Sequence, residues 1–226
     1  MFFRIGKPTP LKDMAQSLHL HGSGREGQKI LVVDDQPFVL KEILASHGFS
    51  ITYTKDIQST SLTASYPIII CDIKGVGAHL GGKHEGAHLF REIRRAYPEK
   101  YIIAFTGYRY DPTYNEYFKY ADISLKKDTD SEAWVNVLDN AVGVMADPTR
   151  RWLRLRQYLL EHANMELWDV LMLEQGFISS IQQRNESKIL NSMVDIQVSP
   201  QTSELIKAFA TAIFTDILSN GVSSVL

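Results

Sequence analysis

The sequence predicts an α/β protein: a doubly wound parallel sheet followed by a small all-α C-terminal domain. Three observations carry that prediction. Four short apolar runs, around Ile30–Val33, Ile68–Cys71, Tyr101–Phe105 and Ile123–Leu125, are separated by stretches of helical period. Strands that alternate with helices build parallel sheets. Each run also ends in polar chemistry: Asp34-Asp35, Asp72, Thr106 and Lys126-Lys127. Beyond Pro148 the alternation stops and only helical spacing remains.

Taken in order, residues 1–28 mix Pro, Gly, His and Lys and read as an N-terminal extension or linker, with a short helix conceivable from Leu11 to Leu20. The first strand runs into Asp34-Asp35 and is followed by Val39, Leu40, Ile43 and Leu44 at helical spacing, stopped at Gly48. Ser50–Thr54 reads as a second strand. The helix due before Ile68 has weak periodicity, so a short or irregular one is expected. From Gly86 a helix turns Ala87, Leu89, Phe90 and Ile93 inward and Arg91, Arg94 and Arg95 outward. A brief helix is expected over Tyr114–Tyr120 and a longer one over Ser131–Met145.

Ala146-Asp147-Pro148 marks the boundary, giving residues 29–146 to the α/β domain and 147–226 to a helical bundle. In the bundle, Trp152, Leu155 and Leu159 mark one helix face. Asn164 is a candidate N-cap for a second helix over Met165–Leu173, apolar nearly all round and therefore expected to be buried, with Gly176 near a helix end. A third helix is read around Ile189–Val194. Ser199-Pro200 starts a fourth, which ends near Asn220-Gly221.

At 226 residues the chain is long enough for a substantial core. A formal charge of −2 gives no global bias toward nucleic acid or anionic membranes. The one cysteine, Cys71, excludes an internal disulfide framework and suits a reducing compartment. No uncharged apolar run approaches the ~20 residues of a membrane span, and no secretory h-region is visible, so the expected location is the cytoplasm.

Acid-acid, acid, hydroxyl and amine, each after a strand and in that order, resemble the receiver domain of two-component response regulators over roughly Lys29 to Gly143. The resemblance implies a five-stranded flavodoxin-like sheet of order 2-1-3-4-5. Its topological switch point falls between the strands ending in Asp35 and Asp72, where such sheets bind ligands. Three carboxylates close together repel unless a cation sits among them, and Mg²⁺ favours oxygen ligands. By the same resemblance Asp35 and Asp72 would ligate Mg²⁺ directly, Asp34 would act mainly through water, and the Lys74 carbonyl would complete the protein ligands. Asp72 would be the nucleophile that takes a phosphoryl group from a phosphohistidine. Thr106 would bond a phosphoryl oxygen, and Lys127 would supply positive charge. Lys127 fits better than Lys126 because Ala121-Asp122-x-x-Leu125-x-Lys127 matches the family's motif. Partners would be a sensor histidine kinase or a phosphotransfer protein, with a homodimer left open. The chain would be a phosphoacceptor with at most slow self-catalysed chemistry, not an enzyme in the usual sense.

Three departures stand against that pattern. Asp128 replaces the proline after the lysine, Ser124 replaces the coupling aromatic, and the loop 75–86 after Asp72 is long enough to overhang the acids. Tyr108 and Tyr110 are candidate substitutes for the missing aromatic. Other readings are weaker. Gly75-x-Gly77 follows the wrong strand for a dinucleotide site. His79, His84 and His88 are better read as solvated than as zinc ligands, and Cys71 as a small core residue. Arg150, Arg151, Arg154 and Arg156 suggest a basic helix face, but no helix-turn-helix accompanies it, so nucleic acid is not an expected partner. A DNA-binding regulator, a phosphorylation-independent scaffold and a haloacid-dehalogenase-like hydrolase stand as alternatives. The last fits poorly, because Pro37 occupies the place of its second acid.

Overall fold

The computed structural model describes residues 8–17, 24–81, 85–107, 114–194, 196 and 198–221. Two compact units emerge, one of residues 22–147 and one that joins residues 1–21 to 148–226. Helix α1 (Leu11–Ser17) comes first. Strand β1 (Lys29–Val33), helix α2 (Lys41–Ser46), β2 (Ser50–Thr54), β3 (Ile68–Asp72) and α3 (Glu85–Ala96) follow. Then come β4 (Tyr101–Thr106), α4 (Asn115–Phe118), β5 (Ile123–Lys126), α5 (Ser131–Met145), α6 (Pro148–Glu161), α7 (Leu167–Gln183), α8 (Ser187–Ser192) and α9 (Pro200–Gly221).

The five strands form an all-parallel sheet in the order β2-β1-β3-β4-β5, the flavodoxin-like arrangement. The unbroken apolar runs have a physical reason: a parallel sheet covered by helices is buried on both faces. Alternation sends Ile30, Val32, Ile70 and Phe105 to one face, against Leu44 of α2 and Trp134 and Leu138 of α5. It sends Val33, Ile69, Cys71 and Ala104 to the other, against Phe90 and Ile93 of α3 and Tyr117 of α4. Gly48, at φ 86°, closes the turn after α2, and Asp130 caps α5 by accepting from the Ala133 N–H. The irregular stretch before β3 is a single 3₁₀ turn, Thr60–Thr63.

Several local expectations shift. Val39 and Ile43 share the helical spacing of Leu44 yet are exposed. Arg94 does not point outward: its side chain is 15% exposed and its guanidinium is fully engaged at the amino rim of the sheet. Glu85-Gly86 falls inside the first turn of α3 rather than ahead of it.

In the other unit, α6 to α9 pack around Trp152, Phe177 and Phe209, with Trp152 and Phe177 stacked at 5.0 Å. Residues read from the sequence as a linker take part in this core. Met14 of α1 is fully buried, and the Thr9 backbone exchanges two hydrogen bonds with the Gln175 amide, at 2.9 and 3.1 Å. The second bundle helix begins at Leu167 with Glu166 at its N-cap, not Asn164, which lies at φ 50° in the preceding turn. That helix is not buried all round, since Leu167 and Trp168 are exposed. Gly176 is mid-helix. A Cβ there would fall 2.5 Å from Ser192 Oγ, so this glycine permits the close approach of α8 instead of ending α7.

The arginines of α6 do not form one basic face. Arg151 is buried and pairs with Asp216, and Arg156 lies 3.4 Å from Glu174, which also accepts from Trp152 Nε1 at 2.8 Å. The helical period explains it. Arg151 stands four residues before Leu155, on the stripe that faces the core.

Candidate functional site

Register decides which side chains meet. Val33 pairs with Cys71 and Asp72 with Phe105, so the residues that leave β1, β3 and β4 emerge at one level on the carboxyl rim. Asp34 and Asp72 are buried there, while Asp35 is exposed. One carboxylate oxygen from each of the three lies within 4.8 Å of the others. From the last strand, Lys127 reaches across. Its Nζ donates to Asp34 at 2.9 and 3.1 Å and to Asp72 Oδ2 at 2.7 Å. Lys126, the last residue of β5, is exposed, as alternation requires of one of two adjacent lysines.

Direct contacts therefore unite Asp34, Asp72 and Lys127, with Asp35 beside them. Thr106 and Lys74 join through the backbone. Thr106 ends β4 half-buried, and its carbonyl accepts from the Lys127 N–H at 2.8 Å. The N–H groups of Ile73 and Lys74 lie 2.7 and 3.5 Å from Asp72 Oδ1, and the Lys74 ammonium sits 5.5 Å from the Tyr114 ring centroid.

The electrostatics are unbalanced. Burial raises the Asp72 carboxyl above the usual carboxylate range, the Asp34 charge adds to it, and Lys127 opposes it. Burial would lower the Lys127 ammonium, yet its hydrogen bonds to Asp72 and Asp34 outweigh that and the net shift is upward. Burial and the charges of Asp34 and Asp35 raise the Tyr53 phenol. With every group ionised, three carboxylates face one ammonium, and two negative charges stay uncompensated. An all-oxygen donor set with that residual charge suits a hard divalent cation such as Mg²⁺.

Several supporting residues left little or no mark in the sequence. Tyr53 of β2 places its hydroxyl 2.9 Å from the Asp34 carbonyl and 3.0 Å from that of Gln36, bracing the acid turn. Gln36 donates its amide to Asp35 Oδ2 at 3.1 Å and its backbone N–H to Asp34 Oδ1 at 2.9 Å. Gly75, at φ 76°, packs directly on the Asp35 carboxylate, where a Cβ would fall 2.5 Å from Cγ. Gly86 lies so close to the Asp72 carbonyl that no side chain fits. Of these, only Gly75 and Gly86 left a legible mark, as glycines flanking the long loop.

That loop does not simply overhang the acids. Val76 is fully buried in the core beside α3, and the Gly77 N–H donates to Asp56. His79 is exposed, and His88 meets Arg91 at 2.7 Å. His84, Tyr108 and Tyr110 lie outside the described residues. Ser124 and Asp128 are exposed.

A five-stranded 2-1-3-4-5 sheet with acids and a lysine on its carboxyl rim defines a flavodoxin-like fold with an acidic cluster that fits a cation. No protein-family model matches the sequence, and no curated protein matches it either. Among solved structures the chain is similar to a CheY-like response regulator receiver domain protein from Methanospirillum hungatei (19% identity, TM-score 0.44, covering 52% of this chain and 95% of that one). It is also similar to the signal receiver domain of an HD domain-containing protein from Pseudomonas fluorescens (21%, 0.46, 57% and 95%). A third is full-length FixJ from B. japonicum (19%, 0.45, 86% and 98%).

Proposed function

We propose that the 22–147 unit is a phosphoacceptor of response-regulator type, in which Asp72 receives a phosphoryl group from a phosphohistidine on a partner kinase or phosphotransfer protein. The observation that carries this reading is the Lys127 ammonium shared between Asp34 and Asp72 across three strand ends. The Asp72 carboxylate attacks phosphorus and the P–N bond to the donor imidazole breaks, its electron pair returning to the ring. Such transfer asks the protein for positioning and charge neutralisation. Lys127 turns from the Asp72 carboxylate toward the incoming phosphoryl oxygens, and Thr106 supports the same oxygens. Asp35 and Asp72, with Asp34 and the Lys74 carbonyl, would hold Mg²⁺, which when bound offsets the negative charge. The unit changes partners with its state instead of turning over substrate, and the helical unit provides output through protein–protein contact. The buried and paired Arg151 and the paired Arg156 weaken a DNA-binding output.

The test is intact-mass labelling with a small phosphoryl donor such as acetyl phosphate. One phosphoryl group should add in the presence of Mg²⁺ and none in EDTA or in Asp72→Asn. Undiminished labelling of Asp72→Asn would sink the assignment. Beryllofluoride should in turn shift the resonances of Thr106 and Lys127.

A further inference from the structure

The Lys127 ammonium has one more neighbour, and it is not polar. Its Nζ lies 5.0 Å from the ring centroid of Phe105, the residue before Thr106 on β4. That ring is buried and its plane is fixed from two sides. Phe38, three residues after Asp35, meets it edge-on at 5.4 Å and 78°. Trp134 of α5 does the same at 5.3 Å and 74°, and Phe38 and Trp134 close the triangle at 5.8 Å. Edge-to-face packing of this kind holds a ring in one orientation.

We propose that Phe105 is a positioning residue for Lys127, its ring holding the ammonium beside the gap between Asp34 and Asp72. The inference rests on the phosphoacceptor reading and deepens it. When Asp72 becomes an acyl phosphate, the ammonium must exchange one hydrogen-bond acceptor for another. Asp34 stays within hydrogen-bond reach through that exchange and competes with the phosphoryl group for the ammonium. An aromatic ring attracts a cation through its quadrupole and imposes no hydrogen-bond direction. It therefore keeps the ammonium in place while the N–H bonds are re-aimed. Leucine at this position would fill space without supplying that attraction.

The experiment compares wild type, Phe105→Leu, Phe105→Tyr and a series of ring-fluorinated phenylalanines at position 105, all in the full chain. One readout is independent of phosphorylation: the NMR signal of the Lys127 ε-methylene. It should be ring-current shifted in wild type, stay so in Phe105→Tyr and lose the shift in Phe105→Leu. The second is the Mg²⁺-dependent labelling rate. It should fall roughly three- to tenfold in Phe105→Leu and stepwise with fluorination, which drains the quadrupole at nearly constant volume, while Mg²⁺ affinity stays unchanged. An ε-methylene signal indifferent to Phe105→Leu, or a rate that ignores fluorination, overturns the proposal. A wild type that takes no label sinks the phosphoacceptor reading instead, and the NMR signature then decides by itself whether the ring holds the ammonium.

Discussion

The two rims of the sheet bury charge in opposite ways. At the amino rim Lys100 is 1% exposed, and its ammonium donates to the carbonyls of Thr63, Ala64 and Tyr66 at 2.7, 2.9 and 2.9 Å. Three N–H groups meet three acceptors, which is full satisfaction. Arg94 beside it donates to the carbonyls of Tyr120, Pro98 and Lys100 and to Asp122, whose carboxylate also takes the Ile102 N–H. At the carboxyl rim one ammonium serves Asp34 and Asp72 with Asp35 beside them, and burial pushes Asp72 toward its protonated form. Saturated charge is structural and seeks no ligand. Charge left in excess is where, on the proposed function, a cation and a phosphoryl group would find a use.

Breaking the saturated rim should have the largest effect. Lys100→Met removes three hydrogen bonds from a charged donor, to the carbonyls of Thr63, Ala64 and Tyr66, each contributing about 1–3 kcal/mol. Urea unfolding of the α/β unit should show a loss of about 3 kcal/mol or more. A loss under about 0.5 kcal/mol, the range of ordinary surface substitutions, would mean that water replaces the ammonium and that this rim is not closed.

The unbalanced rim should respond to ligand rather than to repair. Mg²⁺ at a hundred times its dissociation constant should raise the unfolding free energy by about 2.7 kcal/mol. Asp35→Ala should need far more Mg²⁺ for the same gain, while Lys100→Met should keep the wild-type increment. Equal Mg²⁺ responses in wild type and Asp35→Ala would remove the distinction between the rims.

Arg94→Lys should cost less, about 1–2 kcal/mol, because an ammonium cannot reach the four acceptors that the planar guanidinium spans. Denaturant titration against Arg95→Lys, an exposed neighbour expected to be neutral, isolates the effect.

The smallest effect carries a sign. Burial raises the Asp72 pKa in the metal-free fold, so its protonated form is the stabilising one. That stabilisation is complete below the ordinary carboxylate value and is lost as pH rises through the raised one. Asp72→Asn has no such proton to lose. In EDTA its stability should therefore overtake wild type as pH climbs from strongly acid toward neutral. A gap that opens the other way would show that Lys127 over-compensates the buried carboxylate.

How much of this was legible beforehand differs from residue to residue. Ile68–Cys71 announced a buried strand because β-branched runs without alternation suit a sheet covered on both sides. Ser199-Pro200 announced a helix start through local chemistry, and Ser199 Oγ does accept the Thr202 N–H. The acids and Lys127 were legible because each follows a strand. Tyr53, Gln36 and Phe105 were not, since nothing local marks a strand-end tyrosine or phenylalanine as a neighbour of residues tens of positions away. Arg94 and Arg151 misled because a charge was read as surface, although Arg94 had carbonyls and Asp122 to meet and Arg151 had Asp216.

The sequence alone determined the strands, their polar endings and the helical character of the last third, because periodicity and caps act over a few residues. Tertiary structure alone decided that residues 8–17 belong to the helical unit, and that the cations of the amino rim find a full set of acceptors while the acids of the carboxyl rim outnumber their one ammonium. Those outcomes depend on register and on which backbone carbonyls converge in space. Both are set by packing between segments far apart in the chain.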